Sequence, residues 1–190
     1  MITKMLENFG EQVKNALDLG HDIRLNNFDK IIVCGMGGSG IAGYVLRDIV
    51  DMPVYVNQGF NIPKWVDSNT LAFIMSYSGN TAETLSMYKQ VIKKTDKTVA
   101  VTTGGKLSKS ANNVVMIPGG SLPKNSFHYL FFPMLNVLRN SDALSFKISE
   151  ILNAVKLVDK DNAKKLAGKI NGKIPLVYSS NEYYGTALRW

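Results

Sequence analysis

The stretch that decides the fold is KIIVCGMGGSG, residues 30–40. After Lys30, its next four residues form a short apolar run rich in β-branched side chains, which is typical of a strand buried on both faces. The glycine-rich part leads directly into a helical pattern from Ile41 to about Val50. A buried strand, a glycine turn and a helix in this order predict the first half of a βαβ unit.

The alternation of strands and helices continues along the chain. We predict four further strands and three further helices, the strands at 53–56, 70–75, 97–102 and 113–117 and the helices at about 82–94, 106–110 and 126–139. Crossover connections of this length favour parallel strands with helices on both faces of the sheet. The sequence therefore predicts an α/β fold, a doubly wound three-layer sandwich with a mainly parallel five-stranded sheet.

The two ends of the chain differ from this central part. Residues 1–29 are predicted to form a packing helix, over 1–19, and a connection. We expect 30–140 to be one complete domain and 141–190 to contain a linker helix, over 148–168 with a break near Asp159, followed by a strand at 173–178. Because that strand and the small-residue turn after it repeat the opening of the central domain, we expect the start of an incomplete second domain.

Composition excludes several classes of protein. The single cysteine, Cys34, rules out an intrachain disulfide scaffold, and its place in an apolar run favours a buried side chain over a nucleophile. No stretch reaches the roughly 18 apolar residues of a membrane span, and the N-terminus lacks the apolar core of a signal peptide. We therefore expect a cytoplasmic protein with no membrane partner.

The net charge of +7 leaves two classes of partner open. The lysines are scattered and no nucleic-acid-binding signature accompanies them, so we expect no nucleic-acid partner. A positive surface also raises the local concentration of a small anionic substrate. Two histidines and one cysteine at unrelated spacings predict no metal site.

Two loops are suited to a phosphate group, and both are expected at the carboxyl ends of strands, where open α/β sheets bind ligands. In the first, Gly37 and Gly38 allow close approach to the backbone and Ser39 adds a hydroxyl at a helix N-terminus. The second, 76–81, offers three hydroxyls and one amide without a lysine or arginine. The alternative interpretation is that both loops only cap their helices.

Other glycine-loop proteins fit the sequence less well. A dinucleotide-binding domain needs an acidic residue about 20 residues after its glycines, whereas the second predicted strand leads into Asn57 and Gln58. A nucleotide-binding P-loop fails because no Gly-Lys-Ser/Thr follows the turn. A dinucleotide-binding protein stays as a distant alternative.

Four segments resemble one known family. GMGGSGIAG at 35–43, SYSGNTAET at 76–84, PGGSLPKNSFHYL at 118–130 and the ALRW ending at 187–190 are similar to the sugar isomerase (SIS) domain family. More narrowly, they resemble the N-terminal part of the archaeal-type bifunctional phosphoglucose/phosphomannose isomerases. The resemblance implies a homodimeric enzyme that interconverts hexose 6-phosphates without a metal or a cofactor.

The resemblance also implies roles for particular residues. Gly37, Gly38 and Ser39 would lie in the substrate cleft. The phosphate would be bound by Ser76, Ser78, Asn80 and Thr81, with Asn80 shaping the loop. Lys124 stands where the family usually has an arginine that stabilises the enediolate, and a lysine keeps that charge but loses the planar fork.

The catalytic base is not identified within the chain. The family's glutamate is expected a few residues beyond Trp190, and its ring-opening histidine later still. Glu83, Glu182, His21 and His128 are the internal candidates, and each has a simpler structural interpretation. Two hypotheses follow, namely part of a phosphosugar isomerase or a module of the same fold that binds a phosphosugar without turnover.

Overall fold

The computed structural model describes residues 8–190, so the part of the predicted N-terminal helix before Asn8 lies outside the described residues. Five strands form one sheet in the order β2-β1-β3-β4-β5, and every neighbouring pair is parallel. They are β1 (Lys30–Gly35), β2 (Val54–Asn57), β3 (Thr70–Met75), β4 (Thr98–Thr102) and β5 (Val114–Met116). The α/β prediction and all five central strands are confirmed.

Eight α-helices and two short 3-10 helices accompany the sheet in the described residues. The α-helices are α1 (Phe9–Leu17), α2 (Gly38–Arg47), α3 (Ala82–Val91), α4 (Gly105–Ser110), α5 (Phe127–Asn140), α6 (Ile148–Lys156), α7 (Lys160–Ile170) and α8 (Tyr184–Arg189); the 3-10 helices are Pro123–Asn125 and Asn181–Tyr183. The predicted break near Asp159 is confirmed. Its carboxylate caps α7 by accepting the N–H groups of Asp161 and Asn162.

Both faces of the sheet are buried, as its uninterrupted apolar strands require. Alternate residues of each strand point to opposite faces, so Ile31 and Phe73 pack against one set of helices and Ile32 and Ile74 against the other. The first face is covered by α1, α2 and α5, and the second by α3 and α4. The result is the predicted three-layer sandwich.

The strand order determines where the loops after β1 and β3 lie. From β1 the chain crosses through α2 to β2, and it then returns to the other side of β1 to form β3. This reversal between β1 and β3 is the position at which doubly wound sheets bind ligands at their carboxyl edge. The loops after β1 and β3 are therefore neighbours there.

Two local predictions were wrong. The first prediction started the helix after β1 at Ile41, but α2 begins at Gly38. Gly37 is the N-cap residue and the residues after it already have helical geometry. The second put a strand at 173–178, where the structure has no strand. A strand is defined by hydrogen bonds to a neighbour, and within the described residues no other strand lies beside this segment. Ile174 and Tyr178 are accordingly exposed.

Within residues 8–190, no helix combines the length and the hydropathy needed to cross a bilayer.

Candidate functional site

The loop after β1 is shaped by the absence of side chains. Gly35 is paired with Met75 across the sheet, and a Cβ on Gly35 would lie only 2.9 Å from the Met75 Cβ. Gly37 has a φ of 52°, which L-residues rarely adopt, and no atom lies within 4 Å of the place where its Cβ would be. The glycines therefore bring β1 and β3 together and leave open space above the turn.

Two donors at the start of α2 have no partner in the described part of the chain. Ser39 is only 7% exposed, and within the described chain its hydroxyl has no hydrogen-bond partner. The N–H of Gly38, at the start of α2, also meets no acceptor among residues 8–190. A hydroxyl and an N–H at a helix N-terminus are suited to an anion, because the helix dipole adds a positive field there.

The loop after β3 is shaped instead by hydrogen bonds between its own side chains. Ser76 is 1% exposed, its Oγ lies 3.0 Å from Thr81 Oγ1, and it accepts the N–H of Gly79 at 3.1 Å. Ser78 is exposed, and its Oγ accepts the N–H of Asn80 at 3.2 Å. The four predicted phosphate ligands are thus adjacent, with Ser76 and Thr81 joined directly.

Asn80 ties this loop to the next one. Its Oδ1 accepts the N–H of Lys106 at 3.0 Å, and its Nδ2 donates to the Ser78 carbonyl at 3.3 Å. With both ends of its amide used in this way, Asn80 supports the loop. The shaping role that the resemblance implies for Asn80 stays a prediction.

Tyr77 joins three strand-end loops, a role that no pattern in the sequence indicated. Its carbonyl accepts the N–H of Thr103 at 2.9 Å and the Thr103 hydroxyl at 2.7 Å, after β4. Its hydroxyl accepts the N–H of Ser121 at 3.0 Å, after β5. Because these partners are 26 and 44 residues away, only the folded structure reveals them.

The helix-cap interpretation does not account for the two loops. Thr81 is the N-cap residue of α3, yet its side chain makes no capping hydrogen bond, and the N-cap of α2 is Gly37. In the described chain, the N–H groups of the first α3 turn, residues 82–84, meet no acceptor. Both helices therefore present uncapped N-termini at the same edge.

Two cations flank the loop after β1. Lys124 lies in the 3-10 helix, and its backbone is 3.9 Å from where a Gly38 Cβ would be. Nη2 of Arg189 donates to the Lys124 carbonyl at 2.6 Å. Both residues line a cavity of about 40 Å³ together with Gly38, Ile41, Pro123 and Phe127. Sequence reasoning assigned no role to Arg189, which is 65 residues from its partner.

The other candidate residues lie in less suitable places. His128 is buried in α5 with its Nε2 unpartnered by any described residue, and burial, with a smaller effect of the nearby Arg189 charge, lowers its pKa to about 4. His21 is exposed beside β5, where its Nδ1 lies 2.7 Å from the Asp18 carbonyl oxygen. Glu182 is exposed and accepts a hydrogen bond from Ser180 in the same turn.

Two further residues have structural roles. Glu83 lies in the first turn of α3, where its charge favours the helix N-terminus. Cys34 is fully buried, and burial raises the pKa of its thiol to about 12, so the prediction of a packing side chain is confirmed. Among residues 8–190, no three acidic, histidine or cysteine side chains lie together in a way that could hold a metal ion.

The chain has clear relatives by sequence, although it matches no protein-family model. It is 37% identical over 186 residues to the bifunctional phosphoglucose/phosphomannose isomerase of Thermoplasma volcanium, a match that covers 94% of this chain and 60% of that protein. It is 35% identical to the corresponding Thermoplasma acidophilum protein, over 100% and 63% respectively. The D-glucosamine-6-phosphate 4-epimerase of Sulfolobus acidocaldarius is 32% identical, over 80% and 52%. The chain thus spans about three fifths of the length of the two Thermoplasma isomerases.

Solved structures share the fold at lower identity. The C-terminal domain of glucosamine-fructose-6-phosphate aminotransferase from Francisella tularensis has a TM-score of 0.68 at 16% identity, over 99% of this chain and 64% of that one. Glucosamine-6-phosphate deaminase from Thermotoga maritima has a TM-score of 0.66 at 18% identity, over 98% and 64%. By sequence the chain is a relative of the bifunctional phosphoglucose/phosphomannose isomerases, and its fold is that of the sugar isomerase (SIS) domain.

Proposed function

We propose that this chain binds hexose 6-phosphates at the edge where the loops after β1 and β3 meet. The observation that carries the proposal is the group of unpaired donors there, the Ser39 hydroxyl and the N–H groups of Gly38 and of residues 82–84. Ser76, Ser78, Asn80 and Thr81 would hold the phosphate, and Gly37, Gly38 and Ser39 would line the sugar side of the cleft. The names of the relatives support a phosphorylated sugar as the ligand.

We further propose that the full-length protein interconverts glucose or mannose 6-phosphate with fructose 6-phosphate. That reaction moves a proton between C1 and C2 through an enediolate, so it needs a base beside those carbons and a positive charge near the developing oxyanion. Lys124 would supply the charge, because within the described residues no carboxylate pairs with it. Its ammonium would stabilise the enediolate oxygens without a metal.

No residue of the described chain is assigned as the base in this proposal. His128 is buried among aromatic rings, with Phe9 at 5.5 Å, and His21 lies beside β5. Glu83 lies at the phosphate side, in the first turn of α3. We therefore propose that the proton-transfer glutamate lies outside this chain.

The same observation favours a second function, binding of a phosphosugar without turnover. A sensing module needs the phosphate loops and the cleft but no base. Both functions are consistent with a chain in which no base is assigned among residues 8–190. Only a measurement of isomerase activity therefore distinguishes them.

We also propose the arrangement around this site. Residues 30–140 would form one SIS domain, preceded by 1–29, with 141–190 as a linker and the start of a second unit. A homodimer would cover apolar side chains that are exposed in this chain, such as Leu157, Ile174 and Tyr178. A cytoplasmic location fits the single buried cysteine.

Calorimetric titration with fructose 6-phosphate tests the binding site, with fructose as the ligand control. Ser78→Ala and Thr81→Ala should each weaken binding of the phosphate ester by about 1–3 kcal/mol, since each removes a hydrogen bond to a charged group. Ser110→Ala is the matched control, because Ser110 is also exposed but donates to the Lys106 carbonyl in α4. Equal affinity for fructose and its 6-phosphate would contradict the proposal.

An isomerase assay separates the two functions. Fructose 6-phosphate is supplied, and the formation of glucose 6-phosphate and mannose 6-phosphate is followed. Binding without turnover is expected for this chain under both functions, and turnover by the full-length protein would select the isomerase. Turnover by this chain alone would overturn the proposal that its base lies elsewhere.

A further inference from the structure

The hydrogen bond between Arg189 and the Lys124 carbonyl, at 2.6 Å, links the end of the chain to the cleft. The guanidinium carbon also lies 5.6 Å from the centre of the Phe127 ring, so the group is held on two sides. Within residues 8–190 no carboxylate neutralises it. Its position is therefore set by a backbone oxygen and a ring and not by an ion pair.

Helix α8 carries Arg189 to this place because it is docked firmly on α2. Gly185 packs so closely on α2 that a Cβ there would lie 2.6 Å from the Tyr44 carbonyl carbon, and its N–H donates to Asp48 Oδ2 at 2.9 Å. The Tyr184 ring meets the Tyr44 ring edge-on at 5.4 Å. Arg189 is four residues after Gly185, on the same side of the helix.

The 3-10 helix that holds Lys124 packs beside α2, and its hydrogen bonds are otherwise local, including one from the Ser126 hydroxyl to the Leu122 carbonyl at 3.2 Å. Its backbone hydrogen bonds are local, from the N–H of Asn125 to the Leu122 carbonyl at 2.9 Å and from the N–H of Ser126 to the Pro123 carbonyl at 3.1 Å. A single turn of 3-10 helix has poor hydrogen-bond geometry. Arg189 supplies a contact from a distant part of the chain to this turn.

We propose that Arg189 is a positioning residue for Lys124, whose turn it fixes beside the loop formed by Gly37, Gly38 and Ser39. The inference rests on the proposed sugar-phosphate site, because Lys124 is the residue through which Arg189 acts there. The planar guanidinium suits this task, since one N–H can bond the carbonyl while the plane packs on an aromatic ring. The turn that carries Lys124 then has a defined place at the small cavity that both residues line.

Three variants test the inference in the whole chain. Arg189→Gln removes the charge and the fork, and Arg189→Lys keeps the charge and one donor. Arg47→Gln is the matched control, because it also removes a charge from a residue that contacts α8. The guanidinium carbon of Arg47 lies 5.4 Å from the centre of the Tyr184 ring, at the end of α8 away from Lys124.

The first measurement needs no ligand. Amide hydrogen exchange at Asn125 and Ser126 should be about tenfold faster in Arg189→Gln, because a freed one-turn helix opens more often. Arg189→Lys should restore part of the protection, and Arg47→Gln should leave it unchanged. Unchanged exchange in Arg189→Gln would overturn the inference.

The second measurement is the affinity for fructose 6-phosphate in a double-mutant cycle with Lys124→Gln. Arg189→Gln alone should weaken binding by about fivefold to tenfold, and by less than about twofold once Lys124 is replaced, since the two residues act as one unit. Equal losses in both backgrounds would mean that Arg189 acts independently, and the inference would fail. If the unaltered chain binds no sugar phosphate, the proposed function fails, and hydrogen exchange still decides whether Arg189 positions the turn.

Discussion

The loops after β1 and β3 lie at the same edge of the sheet but obtain their shapes by opposite means. In the first, Gly37 faces open space and the Ser39 hydroxyl has no partner within the described chain. In the second, Ser76, Thr81 and Asn80 are bonded to one another or to neighbouring loops. One loop has open space and an unpaired hydroxyl, while the other is braced by its own hydrogen bonds. Similar small polar residues thus have different physical roles.

The largest expected effect compares two glycines, one from each loop. Gly79→Ala should lower the free energy of unfolding by about 4 kcal/mol, because the new methyl would strike the Gly104 carbonyl and the φ of 67° is itself unfavourable. Gly37→Ala should cost only about 2 kcal/mol, from backbone strain alone, because its surroundings are open. Urea unfolding of both variants measures the difference. Equal losses would mean that the two loops are equally packed.

The loss of stability in acid is expected to arise outside the two loops, because neither loop contains a carboxylate, histidine or lysine. The pKa of His128 is about 4 in the folded chain and near 6.5 when unfolded, so the unfolded state takes up the proton first. The contribution of neutral His128 to the free energy of unfolding is complete above pH 6.5. It is lost as the pH falls towards 4, by up to about 3 kcal/mol.

His128→Phe is the variant that isolates this effect. A phenyl ring keeps the contact with Phe9 and removes the titration. Urea unfolding at pH 7 and at pH 4.5 should show a smaller acid loss in the variant than in the parent, since carboxylates elsewhere affect both alike. Parallel pH profiles would show that His128 is protonated as easily when folded as when unfolded.

The smallest expected effect compares two serines, one from each loop. Ser76→Ala should lower the free energy of unfolding by about 1 kcal/mol, because the Gly79 N–H keeps only its bond to the Ser76 carbonyl. Ser39→Ala should change it by less than about 0.5 kcal/mol, since no hydrogen bond is lost.

Binding is the second measure of Ser39, whose replacement is expected to cost little stability. Fructose 6-phosphate affinity, measured by calorimetry, should fall in Ser39→Ala if its free hydroxyl meets the ligand. If Ser39→Ala is destabilised and binds normally, Ser39 has a structural role and the proposed difference between the loops is wrong.

Much of the fold could be predicted because its signals are local. The run at 31–34 is apolar throughout, as a strand buried on two faces must be, and the polar residues around Asp159 interrupt the apolar pattern at the predicted helix break. The segment 173–178 shows the limit of this reasoning. Its composition suits a strand, but pairing depends on a neighbour that composition does not reveal.

The candidate site was predictable in outline but not in its connections. Glycines and hydroxyls in sequence pointed to the two loops, and their adjacency followed from the sheet rules. The bridging role of Tyr77 and the contact from Arg189 to Lys124 join residues 26 to 65 positions apart. No spacing rule covers such distances, so these contacts required the structure. The roles of the residues at the site stay predictions.

The three-way bonding of Tyr77 has a consequence for the thermodynamics of ligand capture. A loop that must become ordered on binding loses conformational entropy, and that loss is subtracted from the affinity. Here the loops after β3, β4 and β5 are already joined through one tyrosine before any ligand arrives. A small anion that binds at this edge therefore meets a preorganised surface, and little of its interaction energy is spent on ordering the chain.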